Sequence, residues 1–143
     1  MRNTVLKALE MENEKLFKSI HDQYHEKAEA VVMRNFSMGK SMDVMQDEIR
    51  GLLAKTKARG HLITTDQANK ISSAIVRVRM NELGLTKAVW DHGSAYRHEP
   101  RHSHVVATGT PFDIREGCLI DGEYIQPAEK INCKCVYKAV LPY

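Results

Sequence analysis

The first part of the chain carries apolar side chains at helical spacing. From position 2 to 35, apolar residues such as Val5, Leu9, Leu16 and Ile20 recur three and four positions apart, with charged residues between them. That period is typical of an amphipathic helix. Because no Pro or Gly interrupts the segment, we predict one helix on the order of 50 Å long, at about 1.5 Å per residue. Such a helix either packs on its own neighbours or docks as an arm on another subunit.

Two further helices are predicted from glycines and a capping pattern. Gly39 is expected to end the first helix and Gly60 the second, since glycine readily adopts the conformation that closes a helix. Thr64 and Gln67 have capping-box spacing, so a third helix is predicted from there to Gly84. Methionines around the first turn are predicted to fill the core, a pliable binding surface being the alternative; they are Met33, Met38, Met42 and Met45.

After Gly84 the helical period is lost. Short apolar pieces of β type follow, separated by Gly and polar residues; they lie at 88–90, 105–107, 112–114, 119–120, 124–125 and 136–141. Asp121-Gly122 between two of these pieces is a strong hairpin signal. The predicted fold class is α+β, with a helical region at 1–84 followed by a β-rich module at 85–143.

Composition narrows the class of protein. A chain of 143 residues with a formal net charge of +3 can bury a core but lacks the concentrated basic surface of a duplex-binding protein. The N-terminus has no apolar signal region, and no apolar run approaches membrane-spanning length. Three cysteines are an odd number, which argues against a secreted disulfide framework. These features predict a protein made and kept in a cytoplasm.

Histidines and cysteines in the last third are candidate metal ligands. His102 and His104 are two apart, as are Cys133 and Cys135, and side chains two apart on an extended strand share a face. If the two pieces lie side by side, their nitrogen and sulfur atoms suit a tetrahedral zinc ion. Cys118 is the alternative thiolate. His98 or His92 is the alternative nitrogen ligand, and the competing interpretation is that these thiols and imidazoles are ordinary buried groups.

Some of the same residues are also candidates for catalysis. His102, His104 and Glu99 could act as general acid and base, while Arg97 and Arg101 could hold a phosphate, as in a small metal-dependent nuclease. However, no helical pattern follows His104, and the chain has neither a phosphate-cradling glycine loop nor a nucleophile elbow. We therefore predict no enzymatic activity, and expect Arg101 and His104 to tie the module together by hydrogen bonds.

The order of motifs resembles the phage head morphogenesis family typified by the Mu F protein. The resemblance covers roughly the last 80 residues. Its motifs are a helix leading to a Gly and a strand ending in Trp, an Arg-x-x-His element, a Gly with an aromatic-rich turn, a Pro-Gly-Glu-like turn, and an Asn-Cys-Arg-Cys-like ending. In this chain these are Lys87-Ala88-Val89-Trp90, Arg101-His102-Ser103-His104, Gly109 with Pro111-Phe112, Pro127-Ala128-Glu129 and Asn132-Cys133-Lys134-Cys135. Ala128 stands where the family usually has Gly.

The resemblance implies a structural virion protein, a minor head protein acting near the portal in capsid assembly and in DNA packaging or delivery. Its implied partners are portal, capsid or connector subunits, with copies of itself and packaged DNA as further candidates and no membrane. It would reside in the virion head or head–tail connector after assembly in the host cytoplasm. A head–tail adaptor, a capsid cement protein and a small nuclease are the alternatives.

Overall fold

The computed structural model describes residues 2–93 and 100–142, with side chains from residue 4 onward. Two long helices come first, and short strands with one short helix follow. In chain order the elements are α1 (Arg2–Ser37), α2 (Met42–Glu82), β1 (Lys87–Asp91), α3 (His102–Val106), β2 (Pro111–Asp113), β3 (Cys118–Ile120), β4 (Glu123–Ile125) and β5 (Val136–Ala139). The α+β class predicted from the sequence is confirmed.

The first helix ends as predicted. Gly39 has a φ of +65°, a conformation that glycine adopts without steric cost. The Gly39 N–H donates to the Phe36 carbonyl and the Lys40 N–H to the Asn35 carbonyl, at 3.2 and 3.0 Å. These bonds satisfy carbonyls that the last helical turn would otherwise leave unpaired.

The predicted break between the second and third helices is wrong. The helix α2 runs through Gly60 and Thr64 without interruption. The Thr64 hydroxyl donates to the Gly60 carbonyl at 2.8 Å, so it bonds back along the helix instead of capping a new one. A glycine inside a helix costs only about 1 kcal/mol relative to alanine, which neighbouring turns can offset.

The strands form two small antiparallel sheets. The strand β1 lies between β2 and β5, while β3 and β4 form a separate hairpin. Asp121 and Gly122 join β3 to β4 with φ values of +53° and +78°, as a type I′ turn requires, so the predicted hairpin is confirmed. The strand predicted at 105–107 is wrong, because those residues belong to and follow α3.

A small core holds the C-terminal strands together. Trp90 and Ala88 of β1 are fully buried, and Ile114 is 1% exposed. The Trp90 ring lies against Phe112, with 6.2 Å between ring centroids. All three cysteines belong to the same buried cluster, so the predicted thiol ligands lie within this core.

The chain divides into two compact units. One contains residues 8–64, and the other contains residues 1–7 together with 65–143, so the second half of α2 belongs with the strands. In the first unit, Asn35 is buried and its amide donates to Glu48 at 3.2 Å. Three of the four methionines predicted to fill the core, Met33, Met38 and Met42, are exposed instead. None of the described helices is both long enough and apolar enough to cross a membrane.

Candidate metal centre

One histidine and two cysteines meet inside the C-terminal unit. The Nδ1 atom of His104 lies 3.5 Å from the Sγ atom of Cys133 and 3.5 Å from that of Cys135. The ligand atoms of all three residues lie within 4.8 Å of one another. The three residues are between 1% and 3% exposed. They can therefore hold a metal ion from three directions.

The imidazole is placed by a short helix and by the buried tryptophan. His104 lies in α3, where its N–H donates to the Arg101 carbonyl at 3.0 Å. The rings of Trp90 and His104 meet edge to face, with centroids 5.4 Å apart and an angle of 88° between their planes. Because Trp90 is fixed in the core, this contact limits the rotation of the imidazole.

The cysteines follow a turn that is held by hydrogen bonds to two other parts of the chain. The Asn132 N–H donates to the Asp66 carboxylate of α2 at 3.0 Å, and the Arg101 guanidinium donates to the Ile131 carbonyl at 2.9 Å. The Cys133 N–H closes the turn onto the Lys130 carbonyl at 3.0 Å. Bonds from α2 and from the residue before α3 thus position the first cysteine beneath the imidazole.

Two residues of this loop have left-handed backbone conformations. Ala128 has a φ of +65° and Asn132 a φ of +61°. Asparagine tolerates this conformation better than most residues, whereas alanine does not. The turn at Ala128 therefore has a backbone conformation that glycine would adopt without steric cost.

The surroundings favour the thiolate form of Cys133. A hydrogen bond with Cys135 lowers the pKa of the Cys133 thiol to about 5, although burial opposes the shift. The backbone N–H groups and the nearby His104 act in the same direction as Cys135. By contrast, burial raises the pKa of the Cys118 thiol. A thiolate is the form that binds metal. The surroundings of Cys133 favour that form, whereas those of Cys118 favour the thiol.

The other predicted ligands do not join the group. His102 is exposed at the start of α3. The prediction that it shares a face with His104 is wrong, because helical residues two apart point about 200° apart at 3.6 residues per turn. Cys118 lies buried in β3 outside the three-residue group. His92 instead bonds to the Thr108 hydroxyl at 2.7 Å, and His98 falls outside the described residues.

The candidate catalytic set is not brought together in the described part of the chain. Arg97 and Glu99 fall outside the described residues. Arg101 donates to a backbone carbonyl, which is the structural role predicted for it, and His104 faces two buried sulfur atoms. The contacts of Arg101 and His104 therefore serve to hold the module together.

Asp66 is a further residue of the site that the sequence does not reveal. This carboxylate is 7% exposed, pairs with Lys70 at 3.6 Å and accepts the Asn132 N–H of the cysteine loop. In the sequence Asp66 looks like part of a helix start, and 66 positions separate it from its loop partner. No local pattern could have indicated that contact.

The donor set fits a soft divalent ion. Two thiolates and one imidazole are ligands that zinc binds in tetrahedral sites. Because all three side chains are buried, water and substrate have little access to an ion held there. The described residues supply three ligands, and a tetrahedral ion has room for a fourth. What the geometry supports is a metal centre that holds α3 to the segment before β5.

Comparison with known proteins gives one distant relative. An uncharacterized protein of Haemophilus influenzae (strain ATCC 51907 / DSM 11121 / KW20 / Rd) is 29% identical over 134 residues. The match covers 94% of this chain but only 29% of the relative. No family model and no solved structure matches the chain.

Proposed function

We propose that His104, Cys133 and Cys135 bind a structural zinc ion. The observation that carries this proposal is the convergence of three buried ligand atoms within 4.8 Å of one another. When bound, zinc would supply cross-links between α3 and the loop before β5. The chain's own residues would set the geometry. Trp90 limits the rotation of the His104 imidazole, and Asp66 holds the loop that carries Cys133.

The role of the zinc-stabilised module is, in our proposal, assembly of a phage head. The support is the order of motifs that resembles the Mu F family, since this is where the three proposed ligands occur. The protein would act as a minor head protein near the portal, without catalysis, contacting portal, capsid or connector subunits. Exposed apolar side chains near the turn between α1 and α2 supply surface for such contacts; Phe36, for example, is 79% exposed.

Metal analysis of the purified protein tests the zinc proposal. We expect about one zinc ion per chain in the wild type, and loss of zinc in Cys133→Ser and His104→Ala, because structural sites need the full ligand set. Two matched controls are available in the chain: Cys118→Ser replaces another buried cysteine, and His102→Ala replaces the other histidine of α3. Stoichiometric zinc that survives Cys133→Ser would contradict the proposal.

Localisation in purified particles tests the assembly role. We expect antibody labelling or an electron-microscopy map to place the chain at the portal vertex inside the head. A position on the outer shell would indicate a cement protein, and one between portal and tail an adaptor. Absence from particles would refute the virion role, and metal-dependent cleavage of DNA by the pure protein would favour the nuclease alternative.

A further inference from the structure

The strand β5 has one unpaired side. In the three-stranded sheet it pairs with β1 alone, in the part of the chain that the structure describes. The Val140 N–H donates to the Lys87 carbonyl at 3.1 Å, and hydrogen-bonding direction alternates along an antiparallel strand. The backbone groups of Val136 and Lys138 therefore face β1. Those of Tyr137 and Ala139 face the open edge, where another strand could pair.

A groove runs along this edge. It has a volume of about 150 Å³ and lies between α2 and the residues from Lys134 to Tyr137. Successive side chains of an extended segment point to opposite faces. The groove borders Val136 and Tyr137, the first two residues of β5, and the two residues before the strand, so it lies at the beginning of the open edge.

The helix side of the groove offers an unused hydrogen-bond donor. Asn69 lines the groove, and its Nδ2 atom is buried without a hydrogen-bond partner among the described residues. A buried amide donor without a partner costs roughly 1–3 kcal/mol. A carbonyl of a segment lying in the groove would remove that cost.

Two cations beside the groove lack acidic partners. Lys134 lines it, and Arg77 of α2 is close enough to Tyr137 to act on the charge of its phenol. Among the described residues, neither Lys134 nor Arg77 forms an ion pair or side-chain hydrogen bond. The nearby Glu129 carboxylate accepts the Gln126 N–H at 2.6 Å and forms no ion pair with either cation among the described residues.

The charges near the open edge of β5 distinguish between two possible binding partners, a second copy of the chain and an acidic segment. From position 134 to the end, the chain contains neither Asp nor Glu. Of the two lysines in this segment, Lys138 pairs with Asp91 at 2.6 Å, and Lys134 keeps its charge at the groove. A second copy pairing through the same edge would bring like charges together, which destabilises strand pairs. An acidic segment would instead place its carboxylates near Arg77 and Lys134.

We infer that the open edge of β5 binds an extended acidic polypeptide segment, which adds a strand to the sheet and lies in the groove against α2. Main-chain bonds to Tyr137 and Ala139 would give affinity, as in other complexes formed by strand addition. Arg77, Lys134 and Asn69 would select a segment with carboxylates and a carbonyl facing α2. Neither the proposed zinc ion nor the proposed assembly role is needed for this binding.

The test uses two fluorescent hexapeptide libraries and the full chain. Both libraries alternate Val or Thr with a charged residue, which is Asp or Glu in one and Lys in the other. Fluorescence anisotropy should detect binding of the acidic library alone. We expect Arg77→Glu and Lys134→Glu each to weaken binding by about tenfold. The matched control Arg79→Glu, on a different face of the same helix, should change it less than about twofold.

A backbone variant separates strand addition from simple charge attraction. Ala139→Pro removes an N–H that faces the open edge, and proline is tolerated on an edge strand when the lost N–H is not used in the sheet. We expect at least a tenfold loss of binding, equal to about 1.4 kcal/mol, with unchanged circular dichroism. If Ala139→Pro unfolds the protein, acidic peptides N-methylated at alternate residues supply the same test.

Three results would overturn the inference. The first is no binding of the acidic library by the folded wild type, and the second is equal binding of the lysine library. The third is a concentration-dependent dimer, detected by sedimentation, that Ala139→Pro dissociates, because it would identify a second copy as the occupant of the edge.

Discussion

The three cysteines allow a sharp test, because they are equally buried but differ in what they touch. Cys118, Cys133 and Cys135 are 1–2% exposed, yet only Cys133 and Cys135 lie near His104. Replacing each in turn by serine exchanges a thiol for a hydroxyl in the same core. Burying a hydroxyl without a full partner costs roughly 1–3 kcal/mol, so we expect similar losses of stability when metal is absent.

The rise in Tm on adding zinc should differ among the three serine variants. A ligand that binds only the folded state at 100 times its dissociation constant adds about 2.7 kcal/mol to the free energy of unfolding. For a chain of this size that corresponds to a rise in Tm of roughly 5–11 °C, at about 2–4 °C per kcal/mol. The wild type and Cys118→Ser should show the full rise in Tm. Cys133→Ser and Cys135→Ser should show almost none.

The assay is thermal unfolding of each protein with excess zinc and with a chelator, followed by circular dichroism. Each protein serves as its own reference, so the cost of the serine itself cancels. The reasoning would be refuted if Cys118→Ser lost its response to zinc while Cys133→Ser kept it. Equal Tm values with and without metal in all four proteins would also refute it.

Four further substitutions test parts of the C-terminal unit. A Cβ at Gly117, where φ is +100°, would lie 2.8 Å from the Ile125 carbonyl oxygen, so Gly117→Ala should cost about 3 kcal/mol or more in chemical denaturation. Gly109→Ala, where φ is +90° but the space is open, should cost about 1 kcal/mol; equal costs would contradict the role of the clash. Burial raises the pKa of Tyr137 to about 12, so unfolding free energy should fall by up to about 2 kcal/mol between pH 10 and 12. Tyr137→Phe should lack that loss. Hydrogen bonds from the Arg115 guanidinium lower the pKa of Asp113 to about 2. The ionised carboxylate should therefore raise Tm fully above about pH 4, and this gain should disappear as the pH falls through 2. Asp113→Asn should remove that part of the pH dependence, and an acid profile of Tm unchanged by Asp113→Asn would contradict the prediction.

Local patterns predicted most of the elements. The helix over 2–35 needed only the apolar period and the absence of breakers, and Gly39 supplied its end. The hairpin at Asp121-Gly122 followed from turn chemistry. These predictions succeeded because the determining interactions lie within a few residues of one another.

The failures came from interactions that no local pattern reports. Gly60 and Thr64 look like helix boundaries, yet the helix continues because the cost of one glycine is small and the threonine hydroxyl bonds back to the preceding turn. The His102-Ser103-His104 piece was predicted as extended but forms a helix, which removes His102 from the site.

The site itself was predicted in part. Spacing identified Cys133 and Cys135 as a pair, and His104 joins them as predicted. The reason differs, however, because a short helix rather than a neighbouring strand presents the imidazole. The Asp66 contact to the cysteine loop depends on tertiary packing and could not be predicted from the sequence.

The most direct test of the metal centre is X-ray absorption at the zinc edge on the purified protein. We expect two sulfur ligands at about 2.3 Å and at least one imidazole nitrogen at about 2.0 Å, and no zinc signal above background in Cys135→Ser. A bound zinc surrounded by oxygen and nitrogen alone, or a protein that takes up no zinc at all, would contradict the assignment of His104, Cys133 and Cys135 as its ligands.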